Sequence, residues 1–184
     1  MVENNHQKPN LKLVIMGMEN AGKTTIVDII IKESLEDFST PPDMDPTKNV
    51  KRTQLKISDK DIIIWDFGGQ ELYRNEYLVN PEIYFNNISY FFFVLDVQDY
   101  YRFISSYMYF MGIFQLIRKF NPDAKLIILF HKMDPEFDLT KKNLKAKFLE
   151  KIEPFLKLHK KPFKTYDTTI FNIDSIKMVF EQEI

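Results

Sequence analysis

Apolar runs alternate with helix-length segments from one end of the chain to the other. Leu11 to Met16 is an apolar run of strand length; past a polar loop, the stretch from Thr25 to Ser34 repeats its apolar residues at helical spacing and continues as a helix to about Glu36. Asp37 to Thr47 holds three prolines and three aspartates and reads as an exposed loop. Val50 to Ile57 and Asp61 to Asp66 then read as two strands joined by a tight turn at Ser58-Asp59-Lys60. Tyr90 to Val97 and Lys125 to Phe130 are continuous apolar runs, the pattern of strands covered on both faces. A lysine-rich helix from Leu139 to about His159, a strand from Phe163 to Ile170 and a closing helix from Ile173 to Ile184 complete the chain. The alternation predicts an α/β fold: a doubly wound, mainly parallel six-stranded sheet with one antiparallel hairpin and helices on both faces.

The segment Tyr100 to Phe120 carries apolar residues all around the helix rather than on one stripe, from Phe103 and Ile104 through Tyr107, Met108 and Phe110 to Ile117. Two readings stand: a deeply packed core helix, or a helix whose outer face meets a partner protein. Arg102, Ser105, Ser106 and Arg118 interrupt it too often for a membrane span. In the lysine-rich helix, Glu150 and Glu153 favour a solvated face over an anionic-lipid patch. Composition adds limits. At 184 residues and 45% hydrophobic content, one domain with a full core is expected. A net charge of -1 removes the general electrostatic case for nucleic-acid binding. The chain has no cysteine for a disulfide or a lipid, which suits a reducing cytoplasm. Residues 1–10 form a polar N-terminal extension with no apolar signal core.

The chemistry begins in the loop after the first strand. Gly17-Met18-Glu19-Asn20-Ala21-Gly22-Lys23-Thr24 fits G-x-x-x-x-G-K-[ST] between a strand and a helix, the context a phosphate-binding loop needs. Its two glycines allow a tight turn, so that successive N–H groups and the helix N-terminus, through Thr25, aim at phosphates. Lys23 would reach the β- and γ-phosphates and the Thr24 hydroxyl would ligate Mg²⁺. Asp66 ends an apolar strand, the position of a metal-holding carboxylate, and Phe67-Gly68-Gly69-Gln70-Glu71 follows at once. There Gly69 lets a backbone N–H approach the γ-phosphate, and Gln70 can orient a water for in-line attack. Four of the five glycines lie in these two stretches, so glycine serves phosphates more than ordinary turns. His131-Lys132-Met133-Asp134 stands at the carboxyl end of another apolar strand, where open α/β sheets bind ligands. Asp134 can accept from guanine N1–H and its exocyclic amine, a donor pair adenine lacks. Lys132 can lie over the purine and His131 can tie this loop to the phosphate loop.

Together these residues resemble the Ras-superfamily small GTPases, on the Arf-like and Rag-like side. GMENAGKTT resembles the Arf phosphate loop, WDFGGQE the Arf and Rag stretch called switch II, and HKMD the Rag form of the guanine motif. The resemblance implies that Thr47 is the switch I threonine, contacting Mg²⁺ and the γ-phosphate in the GTP state, with Thr40 the rival assignment. It also implies that the backbone of Thr169 and Ile170 reads the guanine O6. The implied activity is a guanine-nucleotide switch that binds GTP and GDP and hydrolyses GTP, with Gln70 and Lys23 as the catalytic pair. Effector, exchange-factor and activating proteins would be its partners, with a dimer left open and membrane association arising through partners only. The arginines Arg52, Arg74, Arg102 and Arg118 offer no built-in finger, so turnover should be slow; a trans-acting protein can raise such rates by about 10³ to 10⁵. The Glu19 carboxylate either repels the γ-phosphate or turns outward. Residues 11–184 read as the GTPase domain, either of a Rag-like chain lacking its dimerisation domain or of a stand-alone relative. Two other readings are a nucleotide-holding interaction module without useful hydrolysis and an ATP-using phosphate-loop enzyme.

Overall fold

Six strands hydrogen-bond in the order β2-β3-β1-β4-β5-β6, in a computed structural model that describes residues 11–35, 49–57, 60–137 and 143–184. The strands are β1 (Leu11–Gly17), β2 (Val50–Ile57), β3 (Lys60–Phe67), β4 (Ile88–Asp96), β5 (Lys125–His131) and β6 (Phe163–Thr168). β2 and β3 pair antiparallel, and the other four pairings are parallel, as the apolar pattern predicts. Among the described residues six helices accompany them: α1 (Lys23–Leu35), α2 (Glu71–Val79), α3 (Pro81–Tyr84), α4 (Phe103–Phe120), α5 (Leu144–Leu158) and α6 (Asp174–Glu183).

The alternation of side chains along a strand splits the interior into two layers. Leu13, Ile15, Phe92 and Val94 face α1 and α6. Val14, Met16, Phe91 and Phe93 face the opposite layer, built from α4, α5 and the short α3. Phe91, Phe92 and Phe93 are all fully buried, so both sheet faces at β4 are covered by helices. Burying each such ring contributes about 2 to 3 kcal/mol of apolar transfer.

α4 packs into the core along one face, as the first of its two sequence readings predicts. Phe103, Tyr109, Phe110, Ile113, Phe114 and Ile117 form a buried stripe, whereas Ile104 and Met108 lie 60% and 62% exposed on its outer side. α2 and α3 were not foreseen in the pattern. Their apolar signal is faint because Leu72 and Val79 point outward at 76% and 75% exposure, and in α2 only Tyr77 is buried. α5 starts at Leu144 because the Asn143 side chain accepts the Ala146 N–H at 2.9 Å, an N-cap; residues 138–142, where its start was expected, lie outside the described residues. β6 ends at Thr168, two residues earlier than predicted, since Thr169 turns out of the sheet to bond Asp134 and Ser175.

Candidate functional site

Parallel strands deliver their carboxyl ends to one edge, and the register brings the predicted motifs to that edge. Ile15 is opposite Asp66, Gly17 opposite Val94, Asp96 opposite His131 and His131 opposite Thr168. The chain runs from β1 to β3 on one side and to β4 on the other, so the loop after β1 sits where the strand order reverses, the usual ligand crevice of an open sheet.

Within the Gly17–Thr24 loop, Asn20 takes a left-handed φ of 58° and Gly22 a φ of 92°. Gly22 is required twice over: its φ is one that side-chain-bearing residues rarely adopt, and a Cβ there would stand 2.5 Å from the His131 ring. His131 therefore does lie against the phosphate loop. Lys23 is buried and donates to the Met18 carbonyl at 2.8 Å. Burial, opposed by Asp66 and reinforced by Arg74, brings its ammonium down to about 8. An anion in the loop would add to the counter-charge that Asp66 and Glu19 give this cation. The Thr24 hydroxyl donates to Asp66 Oδ2 at 2.6 Å, and Asp66 is 1% exposed.

The stretch after β3 straps over the same loop. Glu19 N–H donates to the Gly69 carbonyl at 3.1 Å, and a Cβ on Gly69 would stand 2.3 Å from the Glu19 nitrogen, so only glycine allows this approach. Gln70 is the N-cap of α2. Arg74 Nε donates to the same Gly69 carbonyl at 3.0 Å. At its other end the strap meets the start of β2, where the Asn49 carbonyl accepts from Gly68 N–H at 2.7 Å and from Tyr77 Oη at 2.6 Å. Thr47 and Thr40 lie outside the described residues.

Across the rim, Asp134 is held from two sides. Thr169 Oγ1 donates to its Oδ1 at 2.6 Å and Gln98 Nε2 to its Oδ2 at 2.7 Å. A carboxylate offers about four acceptor positions, so two further donors can still be read. Lys132, at a left-handed φ of 62°, pairs with Asp96 at 2.6 Å. Thr169 N–H donates to Ser175 Oγ at 3.1 Å, and Ile170 is half exposed beside it. Three residues that sequence reasoning did not place here join the site. Gln98 reaches Asp134, Arg74 reaches Gly69, and Arg102 reaches Glu19 at 3.2 Å. For Gln98 the sequence holds one clue, its position just past the carboxyl end of β4; for the arginines it holds none.

His131 is buried, with Nδ1 2.9 Å from Thr168 Oγ1. Burial, with Lys132 beside it, lowers its pKa from 6.5 to about 4. The folded state therefore holds the ring neutral while the unfolded chain binds a proton below pH 6.5. Stability is complete above that pH and falls as the pH drops toward 4, by about 3 kcal/mol. Urea unfolding at pH 7 and pH 4 should show this loss in the wild type and a smaller one in His131→Asn; equal losses would assign the acid sensitivity to carboxylates elsewhere.

The donor chemistry fits Mg²⁺. Thr24 and Asp66 offer hard oxygens in mutual contact. Among the described residues no three His, Cys, Asp or Glu converge as a metal cage, and Mg²⁺ is ordinarily held by one or two protein groups together with phosphates and water. No helix among the described residues is long and apolar enough to cross a membrane.

Comparisons with known proteins agree with this geometry. The family model described as the Gtr1/RagA G protein conserved region matches residues 12–181. The chain is 28% identical over 125 residues to the GTP-binding protein GTR1 of Saccharomyces cerevisiae, covering 67% of this chain and 39% of that protein. It is 36% identical over 95 residues to ADP-ribosylation factor-like protein 3 of Caenorhabditis elegans, covering 50% of this chain and 46% of that one. These matches thus take in less than half the length of either relative. Among solved structures, the Arl6 BBS3 small GTPase from Trypanosoma brucei with bound nucleotide analogue GppNp shares the fold, with a TM-score of 0.69 at 19% identity over 95% of this chain and 96% of that one. A family match that runs through the Gly17–Thr24 loop, the strap and the rim at Asp134 alike places the chain in the Gtr1/RagA G protein family of GTP-binding small GTPases.

Proposed function

We propose that residues 11–184 form a G domain that binds GTP and GDP with Mg²⁺, hydrolyses GTP slowly, and changes its surface with the nucleotide it holds. The observation that carries this reading is the hydrogen bond from Glu19 N–H to the Gly69 carbonyl. That N–H belongs to the anion-facing turn, so a γ-phosphate competes with Gly69 for it. Losing that donor would free the Gly69 carbonyl, so that the strap can shift and bring the Gly69 N–H to the phosphate. Arg74 and Asn49 are bonded to the strap, so the change reaches α2 and the start of β2 together. The exposed Leu72, Val79 and Ile83 on α2 and α3 then move with the strap, which is how effector, exchange-factor and activating proteins would read the state.

In hydrolysis Gln70 orients the attacking water from the N-terminus of α2, and Lys23 holds the β- and γ-phosphate oxygens in the loop. Main-chain N–H groups from Gly17 through Thr25 complete the cradle. Thr24 and Asp66 would hold Mg²⁺, with Thr47 as the third protein ligand in the GTP state; bound there, the ion neutralises charge on the phosphates. Asp134 selects guanine, Lys132 covers the base, His131 packs behind Gly22, and Thr169 and Ile170 border the guanine O6. The domain works in the cytoplasm, and any membrane association or dimer comes through partners.

A single-turnover phosphate-release assay tests the hydrolytic part. Gln70→Leu is expected to slow release by at least about tenfold while GDP affinity stays within about twofold of wild type. If wild type and variant are equally inert, the domain is a nucleotide-holding interaction module.

A further inference from the structure

We propose that Arg102 is a positioning residue for the triphosphate: it draws the Glu19 carboxylate out of the phosphate loop toward α4 and cancels its charge, which lets the loop accept a γ-phosphate. The inference rests on the guanine-nucleotide reading above and adds a determinant of which nucleotide is held.

Glu19 poses an electrostatic problem. Its main-chain N–H donates to the Gly69 carbonyl within the loop proposed to hold the polyphosphate, so its side chain starts from that loop. A carboxylate there repels GTP more than GDP, because the additional charge of GTP sits on the γ-phosphate beside it. The structure answers with one guanidinium, whose Nη1 lies 3.2 Å from Glu19 Oε1. Arg102 is itself fixed. Its main-chain N–H donates to Asp99 Oδ1 at 3.1 Å and its Nε donates to Asp99 Oδ2. One carboxylate therefore anchors the fork at the start of α4, and the remaining arm is presented to the second carboxylate in a preset direction. Lys23 cannot do this work, since its ammonium turns inward to the Met18 carbonyl. Arg74 is directed elsewhere: its Nε donates to the Gly69 carbonyl and its guanidinium lies over the Tyr109 ring.

The pair is partly solvated, with side-chain exposures of 32% for Arg102 and 48% for Glu19. Water therefore screens the repulsion that would follow its loss, and the expected effect is moderate and salt-dependent.

The test measures Kd for GDP and for a non-hydrolysable GTP analogue, with Mg²⁺, in wild type, Arg102→Ala, Glu19→Gln and the double variant, at about 0.05 M and about 1 M salt. Arg102→Ala should lower the GTP-analogue affinity about five- to tenfold more than the GDP affinity at low salt. Adding Glu19→Gln should restore the wild-type ratio, and 1 M salt should shrink the difference. A merely structural role for Arg102 would weaken both nucleotides alike and would not be rescued by Glu19→Gln. An unchanged ratio in Arg102→Ala with GDP still held, or no rescue in the double variant, overturns the proposal. Should Arg102→Ala lose GDP through misfolding, Arg102→Gln keeps a donor to Asp99 without the charge and carries the same test. A wild type that binds neither nucleotide removes the guanine-nucleotide reading itself, which is distinct from every outcome above.

Discussion

Asp134→Asn should weaken GDP binding by about 10² to 10³-fold and make xanthosine diphosphate the preferred ligand. The size follows from two charge-assisted hydrogen bonds read together, each worth about 1.5 to 3 kcal/mol when the acceptor is ionised. Guanine offers a donor at N1 and another at its exocyclic amine, and a carboxylate accepts both. The asparagine amide presents one acceptor and one donor, which suits xanthine, whose C2 bears a carbonyl. The surroundings of Asp134 sharpen the expectation. Thr169 Oγ1 and Gln98 Nε2 both donate to it, so an amide nitrogen must face one of these donors, and the folded rim loses about 1 to 2 kcal/mol as well. Competition binding with GDP, ADP and xanthosine diphosphate measures the exchange directly. A variant that still prefers GDP would remove Asp134 as the base-reading residue, and one indifferent to all three would favour an ATP-type site.

Gly22→Ala should abolish nucleotide binding at micromolar concentrations and lower stability by about 2 to 4 kcal/mol. Two costs combine. A φ of 92° carries a steric penalty for any residue with a Cβ, and that Cβ would stand 2.5 Å and 2.7 Å from His131 Cδ2 and Nε2. The imidazole cannot retreat freely, because it is buried and its Nδ1 is engaged at Thr168. The loop is the softer element and gives way, taking the anion-facing N–H groups out of register. Thermal unfolding and GDP titration of Gly22→Ala and of Gly22→Ala/His131→Ala separate the two costs. If shortening the ring restores binding, the collision dominates; if binding stays lost, backbone strain is the cause; unaltered binding in the single variant would show that the loop tolerates a Cβ.

Much of this site was legible because its chemistry is local. Gly17 to Thr24 announces a phosphate loop since the turn, the cation and the hydroxyl must lie within a few residues of one another. Asp66, Gly69 and Gln70 stand out as candidates for the same reason, as a strand end followed at once by a glycine strap. The apolar runs fixed the sheet because continuous burial on both faces leaves no polar position, and Phe91 to Phe93 obey that rule. α2 was invisible because a helix lying on the surface needs little apolar periodicity, and Leu72 and Val79 face outward.

Sequence alone determined the fold class and singled out the candidates for the phosphate loop, the metal-side carboxylate and the base-reading aspartate, because each is written in spacing shorter than one element or in the order of elements. Tertiary structure alone decided which distant groups lie beside them. Arg102 meets Glu19 across 83 positions and Gln98 meets Asp134 across 36. No local pattern encodes such partners: they follow from β4 and β5 lying side by side next to β1, and a charge finds its counter-charge only once the strand order has set the distance between them.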